Sequence, residues 1–544
     1  MNQTLPLAQF SEMVKVQPDK PYLHQPVNRK LKVFTWAQVD DMARRIASAL
    51  LKMGIEKGDR VGIISKNCAE WFISDLAIMM AGMISVPIYP TANRKTINYV
   101  IQQSDCKAIF VGKLDDLVDA DAGIEKKIPR ITLPYPTLKG QHKWDELLKN
   151  DPLDNINEAK QSDTFSIAYT SGSTGNPKGV VLNHSNLAAS AASSVKLMAV
   201  RNQDRLISYL PLAHITERAL IESVSFYSGC QVFFVESLET FIDDVKRAQP
   251  HLFMSVPRLW NKFQIEILHK LPDKKLQILL KIPLIGKLIA KKIRNGLGLN
   301  NARVFGSGTA PISPNTLAWY ERLGMPISEG WGMTETSGLS CSNFPFDKSL
   351  LGTIGKAVDC VEMKIAENQE ILIRGSAVFR EYYQRPDATK DSFTDGWFHT
   401  GDMGSVSADG VYQIIGRVKE QFKTAKGKYV APAPIENLLT HSNNIEQVCV
   451  FGQGRKQPIA IVVLSQILKT PSKSMTLKLE KVLMHVNKQL ESHQRLDHLI
   501  VLKEEWTIEN GLLTPTMKIK RAEIEAKFNE YLEQELSDKI IWQS

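Results

Sequence analysis

The sequence predicts an α/β protein, with a large N-terminal domain of α/β subdomains plus a small β-barrel-like part, followed by a small α+β domain at the C-terminus. Three observations carry this expectation. The chain has 544 residues, too many for one compact core, so two or more domains are expected. Helical and strand-like segments alternate to about residue 340, the pattern of largely parallel sheets. From 352 to 416 the pattern changes to short strands and turns, and a last small unit begins near Lys419.

The elements follow in order. Phe34-Thr35-Trp36 leads into an amphipathic helix over 37–53, and Lys57-Gly58-Asp59 turns the chain into a strand over 60–65. The most apolar stretch, 71–90, is interrupted by Asp75 and Gly82 and splits into a helix and a strand. It is short for a membrane span, which needs ~20 apolar residues. Strands are expected at 109–111, 165–169, 180–182, 205–209, 232–235 and 252–256. Further strands lie at 370–373 and 411–415, with Asp409-Gly410 as a hairpin signal. The last unit holds strands at 447–451, 459–464 and 499–502, a helix over 477–492, and a closing charged helix from about 519.

One segment stands apart. Residues 276–293 mix Leu and Ile with Lys281, Lys287, Lys291 and Lys292. A basic amphipathic stretch can lie on a membrane surface. The favoured reading is plainer: a surface helix pair with solvated lysines.

Hydrophobic content of 43% and charged content of 23% are ordinary for a soluble globular protein. Cys68, Cys106, Cys230, Cys341, Cys360 and Cys449 are scattered without a Cys-x-x-Cys pair. No zinc site or disulfide framework follows, and a reducing compartment is expected. Residues 1–15 lack the basic start and apolar run of a signal peptide. Lys+Arg 67 against Asp+Glu 58 leaves +9, which suits polyanionic ligands or an anionic membrane, and equally suits nothing in particular.

The segment Tyr169-Thr170-Ser171-Gly172-Ser173-Thr174-Gly175-Asn176-Pro177-Lys178-Gly179 packs three glycines, four aliphatic hydroxyls and a lysine into eleven residues. Glycines let backbone amides approach a ligand closely, and hydroxyls with one cation complete a polyphosphate cradle. A flexible Ser/Gly turn is the alternative. The segment is not the NTPase phosphate loop, which ends in Gly-Lys-Ser/Thr and opens a helix. Here Pro177 precedes Lys178, Gly179 follows it, and the loop joins two strands.

Four further constellations add weight: Ser328-Glu329-Gly330-Trp331-Gly332-Met333-Thr334-Glu335-Thr336, Gly396-Trp397-Phe398-His399-Thr400-Gly401-Asp402, Gly416-Arg417-Val418-Lys419-Glu420, and Leu513-Thr514-Pro515-Thr516-Met517-Lys518-Ile519-Lys520-Arg521. With the loop, they resemble the adenylate-forming (AMP-binding) enzymes over about residues 30–530. Tyr209 to Arg218 and Lys428-Tyr429-Val430-Ala431-Pro432 look most like the long-chain fatty acyl-CoA synthetase branch.

The resemblance implies a two-step reaction. A carboxylate attacks the α-phosphate of MgATP, and CoA then displaces AMP from the acyl-adenylate. It implies that Thr170, Ser171, Gly172, Ser173, Thr174, Gly175 and Lys178 hold the β- and γ-phosphates. Gly308, Thr309, Ala310 and Pro311 would form the adenine wall. Trp331, freed by Gly330 and Gly332, would stack on the base. Thr334 would touch the α-phosphate and Glu335 would bind Mg²⁺. Asp402 and Arg417 would take the ribose and phosphate. Lys518 would bridge carboxylate and α-phosphate. Lys419 falls at the hinge position, His214 at the meeting of acyl pocket and pantetheine channel, and Gly427 and Lys428 on the CoA side. The segment Val256 to Trp260 would line or support the acyl tunnel.

The resemblance further implies an N-terminal AMP- and acyl-binding domain over 1–416, a hinge at 417–420 and a mobile lid domain over 421–544. It implies a cytoplasmic ligase acting on a fatty acid or other carboxylate with ATP and CoA, without nucleic acid. Peripheral contact with an anionic membrane and the oligomeric state stay open. Two alternatives stand beside the acyl-CoA ligase: an adenylating ligase that passes the acyl group to a carrier protein or other acceptor, and a nucleotide- or acyl-binding regulator without turnover.

Overall fold

A computed structural model of the chain describes residues 3–170, 177–442, 444–465, 471–508, 510–514, 518–533 and 538–543. Its largest sheet has eight strands, in the order 381–382, 178–183, 164–170, 84–88, 60–64, 106–111, 130–132, 142–143. Strands from 164–170 outward to 142–143 run parallel, and the hairpin 164–170/178–183 is antiparallel. A second sheet sets 252–255, 304–307 and 327–333 parallel, then 338–342 and 356–357 antiparallel. A four-stranded sheet joins 205–208 and 231–234 to 21–27 and 30–35. The expected barrel-like part is an antiparallel sheet of 361–365, 370–375, 397–406 and 393–394, with 412–417 added on 397–406. The C-terminal unit is a mixed sheet of 445–451, 459–464, 499–502 and 540–542.

Local chemistry sets the element ends. The first long helix runs Trp36–Lys52, one residue earlier than expected. Thr35 and Gln38 form a reciprocal capping box there, and Gly54 at φ +81° follows the helix end. The helix expected over 477–492 is Lys473–Gln489, because Ser472 accepts the Met475 amide and caps the chain earlier. The closing helix is two short ones, Arg521–Lys527 and Asn529–Glu533, and an edge strand, Ile540–Trp542, follows them. The 276–293 segment is a helix pair, Asp273–Leu280 and Pro283–Leu297, broken where Pro283 starts the second helix.

The apolar 71–90 stretch becomes the helix Ala69–Met80, buried on all sides, and the strand Ile84–Ile88. Its Asp75 is fully buried and paired with Arg218 at 2.5 Å. Arg218 also donates to Ser166 Oγ at 2.7 Å, lies 3.4 Å from Glu222, and sits over the Phe165 ring at 4.3 Å. It opens a π-helical turn, Arg218–Ser223. Such turns are rare and often lie at functional sites. No described helix is long and apolar enough to cross a membrane.

Candidate functional site

The strands 252–255, 304–307 and 327–333 are parallel neighbours, so their carboxyl ends share one edge, where open α/β sheets bind ligands. Gly308, Thr309, Ala310 and Pro311 leave the end of 304–307, and Trp331 to Met333 end 327–333. Thr309 is held at φ +68°, a conformation costly for a non-glycine residue. The glycines here permit close backbone approach. A Cβ on Gly332 would stand 1.6 Å from the Gly338 carbonyl oxygen, and one on Gly308 would stand 3.0 Å from that of Gly330.

Trp331 donates its indole N–H to Asp402 Oδ2 at 2.9 Å, and Arg417 Nε lies 2.7 Å from Asp402 Oδ1. Asp402 and Arg417 face each other across the hairpin of 397–406 and 412–417. The indole bond lies in the ring plane and leaves the ring faces to a stacking partner. Each Asp402 oxygen keeps a further acceptor position. Burial raises the Asp402 carboxyl above its ordinary range, while Arg417, Trp331 and Lys518 oppose the rise.

Thr334 and Glu335 sit on a single 3₁₀ turn. The turn is pinned by the Met333 amide on Thr336 Oγ1 (3.0 Å) and the Phe379 amide on the Glu335 carbonyl (2.7 Å). Glu335 is buried, and the Tyr382 hydroxyl donates to its Oε1 at 2.8 Å. Lys178 Nζ stands over the Tyr382 ring, 4.7 Å from its centre. Tyr382 reaches this place because its strand pairs with 178–183, setting Tyr382 opposite Val180. It is a site residue that motif reasoning missed. Its hydroxyl is driven strongly toward the protonated form, first by burial and then by the Glu335 charge.

Thr170 and Lys178 close the hairpin end opposite one another. Ser171, Gly172, Ser173, Thr174 and Gly175 lie outside the described residues, so the cradle is seen only at its rim. Gly179 is required there, since a Cβ would stand 2.8 Å from Ile167.

Lys518 is tied to Thr514, whose amide donates to the Lys518 carbonyl at 2.8 Å and whose Oγ1 accepts the Lys518 amide at 3.0 Å. Its side chain is accessible to water. Desolvation by the surrounding protein lowers its ammonium pKa and Arg417 adds to the effect, while Asp402, Glu335 and Glu420 oppose it. The structure therefore brings Lys518 within electrostatic reach of Glu335, Asp402 and Arg417.

His214 is within electrostatic reach of the same lysine. Burial, then the Lys518 charge, lowers its pKa to about 4, and its Nδ1 accepts the Thr216 amide at 3.2 Å. At neutral pH it is uncharged. Asn67, which no motif names, and Glu217, which the Tyr209 to Arg218 motif contains without a role, hold its loop. Asn67 Nδ2 donates to the Leu210 carbonyl (2.7 Å), and buried Glu217 accepts the Tyr209 amide (2.8 Å). Burial pushes the Glu217 carboxyl up to about 8. In the 256–260 segment, Trp260 is fully buried and donates to the Gly306 carbonyl at 3.2 Å. Arg258 lies 3.6 Å from Glu505 of the small domain.

Lys419 is exposed in a short turn, Val418–Glu420. Behind it Arg521 reaches Glu436 at 2.7 Å and Glu420 at 3.6 Å. This ties the start of the small domain to the turn that carries Lys518. Gly427 (φ +74°) and Lys428 lie exposed at the tip of the ribbon 422–423/429–430, and their backbone bonds stay within that tip.

Among the described residues no group of three or more His, Cys, Asp or Glu is arranged to hold a metal alone. Glu335 fits a magnesium ion of another kind. One of its oxygens is fixed by Tyr382 and the other is left for a cation that draws its remaining ligands from phosphate and water.

The chain matches the family model described as AMP-binding enzyme over residues 10–383, and that described as AMP-binding enzyme C-terminal domain over residues 419–538. It is 31% identical to long-chain-fatty-acid–CoA ligase 5 of Mus musculus over 95% of this chain and 86% of that protein. It is 30% identical to long-chain-fatty-acid–CoA ligase FadD15 of Mycobacterium bovis over 91% of this chain and 90% of that protein. Its fold is similar to the crystal structure of the anthranilate CoA ligase AuaEII in complex with anthranoyl-AMP. That likeness has a TM-score of 0.80 and 20% identity, covering 96% of this chain and 97% of the other.

Proposed function

The chain belongs to the AMP-binding enzyme family, and on that premise we propose that it activates a medium- or long-chain fatty acid with ATP and passes the acyl group to CoA. The observation that carries the adenylating chemistry is Lys518 within electrostatic reach of Glu335 and of the Asp402–Arg417 pair. The fatty acyl substrate is carried over from the relatives similar to this chain over nearly its whole length.

A carboxylate is a poor electrophile because its leaving group would be an oxide. In the first step a carboxylate oxygen attacks the α-phosphorus, the bond to the β-phosphate oxygen breaks, and pyrophosphate leaves. Two anions must meet, so positive charge has to be fixed beforehand. Lys518 bridges the carboxylate and the α-phosphate. Thr334 touches the α-phosphate, and Lys178 and the loop from Thr170 to Gly175 grip the departing phosphates. Glu335 would hold magnesium, which supplies charge neutralisation at the phosphates. Trp331 stacks on adenine against Gly308 to Pro311, and Asp402 with Arg417 orients the ribose.

In the second step the CoA sulfur attacks the acyl carbon and AMP leaves with the oxygen that joined it to the acyl group. His214, neutral, positions and gates rather than taking the thiol proton. The small domain, 421–544, turns about 417–420 so that one cleft serves both steps, which moves Lys518 away and brings Gly427 and Lys428 toward CoA.

The test is pyrophosphate release across carboxylates of increasing chain length, with and without CoA. Release with fatty acids, and acyl-CoA formed when CoA is present, is the expected result. Release without acyl-CoA formation points to another acceptor, and no release with any acid points to a binding protein.

A further inference from the structure

Helices normally set polar residues opposite the face they bury. The helix Pro283–Leu297 does not. It buries Gly286, Ala290 and Leu297, with Ile289 and Ile293 packed on the aromatic cluster that holds Trp260 and Tyr320. Yet its outer side carries Leu284 (78% exposed) and Leu288 (67%), and Ile285 is 42% exposed. The corner before it adds Ile278 and Ile282. Gly286 keeps that corner tight, since a Cβ there would stand 2.6 Å from the Leu280 carbonyl oxygen.

Lysines interleave with these side chains. Leu284, Lys287, Leu288 and Lys291 fall at i, i+3, i+4 and i+7 and share one outer face, with Lys281 and Lys292 also exposed at its edges. From 274 to 320 the chain holds eight Lys and Arg and no Asp or Glu.

We propose that this helix pair docks the protein on an anionic lipid bilayer, with Leu284, Ile285 and Leu288 entering the boundary between headgroups and acyl chains and the lysines meeting the phosphates. Apolar tips ringed by lysine stems suit that boundary, because the stems lie along apolar surface while the ammonium groups stay with the headgroups. A second copy of the chain fits less well, because a two-fold contact through this face would set its lysines against their own images. The docking claim stands apart from the enzymatic one and is read without turnover.

The experiment is flotation of the full chain with vesicles of phosphatidylcholine alone, or mixed with phosphatidylglycerol. Binding is expected to the anionic vesicles at low salt, to fall at high salt, and to be weak on phosphatidylcholine alone. Lys287→Gln and Lys291→Gln should each lower binding about fivefold, and L284S/L288S should abolish it. All these side chains are exposed, so the variants keep the wild-type melting temperature. Val118, also 78% exposed but on a separate short helix, supplies the control, and V118S should bind like wild type. Absence of flotation, equal binding to both vesicle types, or an equal loss in V118S would overturn the proposal. So would light scattering that shows a dimer dissolved by L284S/L288S in a chain that does not float.

Discussion

Replacing Lys518 by methionine separates the two halves of the reaction. Methionine keeps most of the side-chain volume and removes the ammonium. Burial and Arg417 both disfavour the charge of that ammonium, with Asp402, Glu335 and Glu420 as partial compensation. Loss of one preorganised donor of this kind costs ~2.7–4 kcal/mol of transition-state stabilisation, a fall of roughly 10²–10³-fold. Carboxylate-dependent exchange of labelled pyrophosphate into ATP reads the first step. Transfer from synthetic acyl-adenylate to CoA reads the second. The expected result is collapse of exchange with transfer preserved. The melting temperature should hold or rise, because the variant no longer confines an unfavourable charge. Lys518→Arg should keep its charge at high pH and lose the alkaline decline of exchange that a lysine with a lowered pKa produces in the wild type. Equal loss in both half-reactions, or intact exchange, would refute the assignment.

Three further outcomes are expected. Tyr382→Phe removes the hydrogen bond that fixes Glu335 Oε1; at about 1.5–3 kcal/mol for a bond to a charged group, it should raise the magnesium concentration needed for half-maximal pyrophosphate exchange, and an unchanged requirement would contradict the role. Arg218→Met leaves Asp75 buried without its partner and should cost about 3–5 kcal/mol of stability, read by urea unfolding. Glu217 has a folded pKa of about 8 against an ordinary 4.5. The fold therefore holds a proton that the unfolded chain has released, and this contribution is lost as pH rises through 8. Glu217→Gln keeps the acceptor for the Tyr209 amide and should flatten that decline in thermal unfolding.

The elements that position the cleft were legible where local chemistry decides them. Phe34-Thr35-Trp36 was read as leading into a helix, which Thr35 and Gln38 cap, and the loop between Tyr169 and Gly179 was read as joining two strands, as the hairpin 164–170/178–183 does. Boundaries slipped where a cap outweighed the apolar pattern, as at Ser472. The strand Ile540–Trp542 is only three residues long and carries little pattern of its own.

The motifs named Trp331, Asp402 and Arg417, but not that the Asp402 carboxylate joins the other two across two sheets. Tyr382 was invisible because its place depends on pairing with a strand about two hundred positions earlier. Asn67 was hidden for the same reason, since it reaches the Leu210 carbonyl from 143 positions earlier; Glu217 stood in the Tyr209 to Arg218 motif, but its bond to the Tyr209 amide was not read from it. On the helix 283–297 the lysines were plain in sequence. Which leucines face outward follows only from Gly286 and Ala290 turning toward the core.

The central claim is that a carboxylate oxygen attacks the α-phosphorus of ATP and leaves with AMP. It is tested most directly by supplying fatty acid labelled with ¹⁸O in its carboxylate, together with ATP and CoA, and reading the products by mass spectrometry. The account predicts one ¹⁸O atom in AMP for each acyl-CoA formed, and none in pyrophosphate. Label in inorganic phosphate, or acyl-CoA formed while AMP stays unlabelled, would contradict it.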